Sequence, residues 1–145
     1  MKKWNRKRVG ILLICFLCTL YMGKEIYTIQ PQRVSGIPDA INSIRCNTTE
    51  YLTVVANQKD MEDKHELAKL IVKMCQENSF RSIKFSYDME CPTELLIHVY
   101  RTEKDFHESK KFCEIAYLSE EKNEKYDIIH NTDKFSLYVD GKKVD

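Results

Sequence analysis

The sequence predicts an α+β fold: one main helix on a mostly antiparallel sheet, in the order β-α-β-β-β-β-β, behind an N-terminal transmembrane signal-anchor. Three observations predict it. A stripe of apolar residues at helical spacing runs from Leu67 to Cys75, short runs of β-branched and aromatic residues follow from Ile83 onward, and the chain opens on a basic stretch followed by an apolar one. The 145 residues, with 43% apolar and 31% charged side chains and only four Gly and three Pro, are those of a globular chain and exclude a mainly disordered or collagen-like one.

Residues 1–8 carry Lys2, Lys3, Arg6, Lys7 and Arg8 without an acidic side chain, and Val9 to Gly23 carries no charge. A basic stretch before an apolar run is the layout of an export signal. A full span needs about 20 residues at a rise of about 1.5 Å each. Ile26, Tyr27 and Ile29 supply the extra length, and Lys24 can snorkel to the headgroups. Tyr21 stands where a cleavage site wants a small residue, so an uncleaved signal-anchor over 9–29 is expected, with a secreted, cleaved form as the alternative. By the positive-inside rule, residues 1–8 stay cytoplasmic and the rest crosses the membrane. That places the chain in a cell membrane, single-pass, with the lipid bilayer as its first partner.

Residues 30–45, with Pro31, Gly36 and Pro38 and no clean period, are expected to form a tether, and 46–145 an extracytoplasmic domain. Tyr51 to Ala56 reads as a buried strand. Asn57 or Asp60 is the expected helix cap. Leu67, Leu70, Ile71, Met74 and Cys75 then form the buried stripe, and Asn78-Ser79 stops the helix. Ile83, Phe85 and Tyr87 alternate with polar residues and read as the second strand. Leu95–Tyr100, Phe112–Leu118, Tyr126–His130 and Phe135–Val139 read as the remaining strands, and Asp140-Gly141 as a hairpin turn. The first strand, the helix and the second strand are expected to form a right-handed crossover.

One helix covers one face of such a sheet, so the other face is expected to be polar, covered by the tether, or met by a partner, including a second copy of the chain. Tyrosines suit half-exposed sheet positions and interfaces, which makes Tyr100, Tyr117 and Tyr138, with His98, the candidate interaction face. Cys46, Cys75, Cys91 and Cys113 lie beyond the anchor, and form either disulfides or free thiols. Their spacing fits no paired zinc ribbon, and Cys91, next to Pro92 in a turn, is the candidate for a reactive thiol.

Several motifs are near-misses. His65-Glu66 begins the zinc-peptidase helix, but Lys69 stands where the second His belongs. Ser119-Glu-Glu-Lys122 fits S-x-x-K without its partner motifs. No phosphate-binding glycine loop and no nucleophile elbow is present, so neither catalytic residue, cofactor nor metal site is assigned. Residues 24–145 hold 18 basic and all 22 acidic side chains, and an acidic folded part disfavours nucleic acid. The expectation is a non-enzymatic interaction or accessory domain of the bacterial cell envelope, meeting an envelope protein or ligand. The alternative is a small thiol- or metal-dependent enzyme.

Overall fold

A computed structural model describes residues 33–87, 90–121 and 125–144. The signal-anchor expected over 9–29 and the first residues of the expected tether lie outside the described residues. Among those described, no helix is long and apolar enough to cross a membrane.

Six strands make one sheet in strict chain order: β1 (Asp39–Cys46), β2 (Thr49–Val55), β3 (Glu94–Tyr100), β4 (Cys113–Ser119), β5 (Phe135–Val139) and β6 (Lys142–Val144). β2 and β3 are parallel, joined through α1 (Lys64–Gln76), and every other neighbouring pair is antiparallel. The α+β class, the single main helix and the mostly antiparallel sheet are as expected. The order of elements is not.

Four corrections follow from local chemistry. The tether reading fails at its C-terminal end, where Asp39–Cys46 is the edge strand β1 and the folded unit starts at Arg33 rather than Cys46. Polar residues on both faces masked it, with Asn42 outward and Ser43 and Arg45 inward, so no clean apolar period remains. Ile83–Tyr87 is not a strand, although its burial alternates: Ile83, Phe85 and Tyr87 are half-buried and Lys84 and Ser86 exposed. Period two reports an extended chain buried on one side, not a paired one. Here the backbone of Phe85 is met by a side chain instead: Asn78 Nδ2 donates to its carbonyl at 2.8 Å, and its N–H donates to Asn78 Oδ1 at 2.8 Å. Tyr126–His130 is also not a strand. Asp127 Oδ1 takes the N–H groups of Ile129 and His130 at 2.9 and 2.8 Å, bending the backbone into a turn that competes with ladder pairing. Ile128 in that turn is still fully buried.

The fourth correction concerns the helix start. Asp63, not Asn57 or Asp60, is the cap, accepting from the N–H groups of His65 and Glu66, both at 3.0 Å. The end is as expected. Asn78 takes a left-handed φ of 51°, its N–H donates to Cys75 O at 3.1 Å, and the N–H of Ser79 donates to Met74 O at 2.9 Å. That pair of bonds is a Schellman stop, with Asn in the left-handed position that Gly or Asn usually takes. A second, five-residue helix α2 (Glu103–His107) interrupts the charged connection, closed by reciprocal bonds between Thr102 and Asp105.

The core lies between α1 and the inner sheet face. Leu67, Ala68, Ile71, Val72 and Cys75 of the helix meet a layer that contains Leu52, Val54, Leu95, Ile97, Val99, Cys113 and Ile115. Leu70 is 44% exposed, at the edge of the stripe rather than in it. Asp39 is buried at the start of β1, accepting from the N–H groups of Arg81 and Ser82 at 2.9 and 3.1 Å and from the Ser82 hydroxyl. It fastens the edge strand to the chain that leaves α1.

The β5–β6 hairpin turns on Asp140 and Gly141, at φ 49° and 76°, as the two-residue turn requires. Asp140 Oδ2 accepts from Lys64 Nζ at 2.7 Å, and Oδ1 from the N–H of Glu114 at 2.9 Å. The Lys64 bond leads the interactions that hold this carboxyl below its ordinary value. A depressed carboxyl contributes stability above its unfolded value and loses it as pH falls through the folded one. Asp140→Asn keeps the turn conformation and an amide oxygen for the Glu114 N–H, so what is lost is the charge and the bond to Lys64 that depends on it. The expected result is a loss of about 0.5 kcal/mol near neutral pH, as for a partly exposed pair. Below the carboxylate range the difference from wild type should close. A gap that persists in acid would show that geometry, not charge, is what Asp140 contributes.

Candidate functional site

Strand register sorts the side chains. Ile44, Tyr51, Leu96, Ala116, Tyr138 and Lys143 are successive partners across all six strands, and so form one row on the outer face. Ile44 is 58% exposed and Tyr51 46%, side by side on β1 and β2. The neighbouring row is polar: Asn42, Thr53, His98 and Glu114. His98 Nε2 lies 3.5 Å from Glu114 Oε1, and Glu114 also pairs with Lys111. At one end the chain closes its own outer face. Val55, paired with Tyr100, is fully buried, and Tyr100 packs edge-on against Phe106 of α2 at 5.3 Å.

Of the four residues expected on an interaction face, His98 and Tyr138 are there and Tyr100 is there but half-buried under Phe106. Tyr117 is not. It pairs with Leu95 and Leu137 on the inner face, is 8% exposed, and stacks on Phe135 at 5.0 Å. Its hydroxyl donates to Thr132 O at 3.2 Å, so it is a core tyrosine with a satisfied tip. Burial of that ring accounts for the raised value of the phenol. Ile44 fell within the expected tether, and Leu96 shares parity with His98 and Tyr100 in its own strand, but their place beside Tyr51 and Tyr138 becomes visible only when the strands are in register.

The four cysteines are free thiols. Cys75 and Cys113 are buried in the core, and burial pushes Cys113 up to about 11 and Cys75 further. Cys46 is exposed at the end of β1. Cys91 is half-buried, and burial first, then the negative charge of Asp127, raises its thiol, while Arg45 pulls the other way. A raised thiol is a poor nucleophile near neutral pH, which argues against Cys91 as a catalytic thiolate.

Sequence reasoning also passed over a buried carboxylate. Glu50 sits on the inner parity of β2, 4% exposed, with the Ser43 hydroxyl donating to it and Arg45 Nε at 3.8 Å. These three line a cleft of about 550 Å³ together with Lys84, Phe85 and Glu90. The signal was present in the alternation Glu50-x-Leu52-x-Val54, which puts an acid in line with core residues. Glu50 is satisfied within its own strand pair by Ser43 and Arg45. Comparisons with protein-family models, with curated proteins and with solved structures find no match to this chain.

Proposed function

We propose that this chain is a membrane-tethered, extracytoplasmic interaction or accessory domain of the bacterial envelope, without catalysis of its own. Residues 1–8 stay cytoplasmic, residues 9–29 hold the protein in the bilayer, and the sheet presents its outer face to a protein partner. The observation that supports this reading is the row from Ile44 to Tyr138. It is a continuous apolar and aromatic strip across a sheet layered by a helix on the other side, flanked by polar residues as interface cores are. Ile44 and Tyr51 gain nothing from this exposure in the isolated domain, whereas each would bury its side chain against a docked protein.

A photo-reactive side chain at position 51 tests the proposal in intact membranes, with position 69 on the exposed side of α1 as control. Position 51 should cross-link to one discrete protein, position 69 should not, and Leu96→Glu should abolish the product. Leu96 is half-buried on the outer face, so that substitution should leave the unfolding midpoint close to wild type. A product of twice the chain's mass would identify the partner as a second copy. The same products from both positions, or products indifferent to Leu96→Glu, would overturn the reading.

A further inference from the structure

At the end of the sheet where β3 begins, two segments distant in sequence converge. Cys91 precedes β3, and Asp127 and His130 belong to the turn between β4 and β5. One donor atom from each, the thiol sulfur, a carboxylate oxygen and an imidazole nitrogen, lies within 4.8 Å of the other two. The turn is held from several directions. The N–H of Ile128 donates to Pro92 O at 3.0 Å, which joins the residue after Cys91 to the residue after Asp127. Gln76 Nε2 at the end of α1 donates to Ile128 O at 3.0 Å. The N–H of Asp127 donates to Asn131 Oδ1 at 3.2 Å, and Asp127 Oδ1 takes two backbone N–H groups of its own turn.

We propose that Cys91, Asp127 and His130 form a binding site for a zinc-class divalent transition metal, with a water or a ligand atom completing the coordination. The donor set decides the class. Calcium and magnesium take oxygen donors, whereas a thiolate with an imidazole and a carboxylate suits zinc and its neighbours. Tetrahedral coordination with bonds of about 2.0–2.3 Å places donors about 3.3–3.8 Å apart, within the 4.8 Å that bounds these three. His130 is free to adjust its ring to an ion, since its side chain is 70% exposed while that of Asp127 is 22% exposed. His130 Nδ1 now lies 3.0 and 2.9 Å from the two Asp127 oxygens, and a cation between these groups would take over the attraction that holds them together. The site lies away from the outer-face row and stands independently of the interaction reading.

Cobalt(II) reports on this directly, because a thiolate ligand adds a near-ultraviolet charge-transfer band. The full chain, reduced, in detergent, and carrying Cys15→Ser and Cys18→Ser, should take up one equivalent of Co²⁺ with that band. Cys91→Ser should remove it, Cys46→Ser should leave it, and His130→Ala should weaken binding at least about tenfold. In the chain without substitutions, Zn²⁺ should slow alkylation of Cys91 at least about tenfold and leave Cys46 unchanged, since metal occupies the thiolate that reacts. The absence of a band, a band that survives Cys91→Ser, or alkylation of Cys91 at the same rate with Zn²⁺ present would overturn the site. The alkylation arm needs no variant to fold.

Discussion

Phe80→Ala is expected to destabilise the domain by about 3–5 kcal/mol, as for an aromatic ring removed from a closed core. Phe80 is fully buried, the largest such side chain described, in a segment that belongs to no helix or strand. Its ring meets Phe85 edge-on at 5.9 Å, Phe85 stacks on Tyr87 at 5.8 Å, and the Tyr87 hydroxyl donates to Cys75 O at 2.6 Å. The ring therefore secures a chain of contacts that lays residues 80–87 along α1. Against a typical total of about 5–15 kcal/mol, the loss is enough to leave some of the protein unfolded at physiological temperature. Urea titration checks it: the midpoint should fall sharply while the slope stays the same. A loss under about 1 kcal/mol would mean that this segment contributes little packing.

Asn78→Ala carries the second largest expected effect, about 2–3 kcal/mol, from two separable sources. Alanine is strained at φ 51°, and it cannot make the two amide bonds to Phe85. Asn78→Gly separates them, since glycine accepts the left-handed conformation but still lacks the amide. Glycine should therefore cost less than alanine, by about 1 kcal/mol. Urea midpoints for the two variants decide the matter, and a glycine variant less stable than the alanine one would refute this division.

Asn78 also shows what could be read in the sequence. A helix stop is local: the apolar stripe ends, and Asn is one of the few residues that tolerate the conformation that ends it. The same held for Asp140-Gly141 and for the strands at 95–100, 113–118 and 135–139, where pattern and turn chemistry agree. Tyr117 was legible and missed. It shares parity with Cys113 and Ile115, core positions of the same strand, so its place on the inner face followed from alternation alone. Edge strand β1 was harder, because Asn42, Ile44 and Cys46 face outward and Ser43 and Arg45 face Glu50 and its neighbours, which leaves no clean apolar period. The candidate metal cluster was not legible at all. Cys91 was suspected as a thiol but not with Asp127 or His130, whose distance from it in sequence is bridged in the fold by the bond from Ile128 to Pro92.

The strand order has a kinetic consequence. Every pairing in the sheet joins strands that follow one another in the chain, and all but one can zip up as antiparallel neighbours. The exception is the parallel contact of β2 with β3, which closes only after the whole stretch from Ala56 to Thr93, α1 included, has been looped back. Loop-closure entropy is thus concentrated in a single event rather than spread over the sheet. The β1–β2 hairpin and the β3–β6 meander can each gather locally, whereas bringing the two together carries the largest loop-closure cost in the sheet.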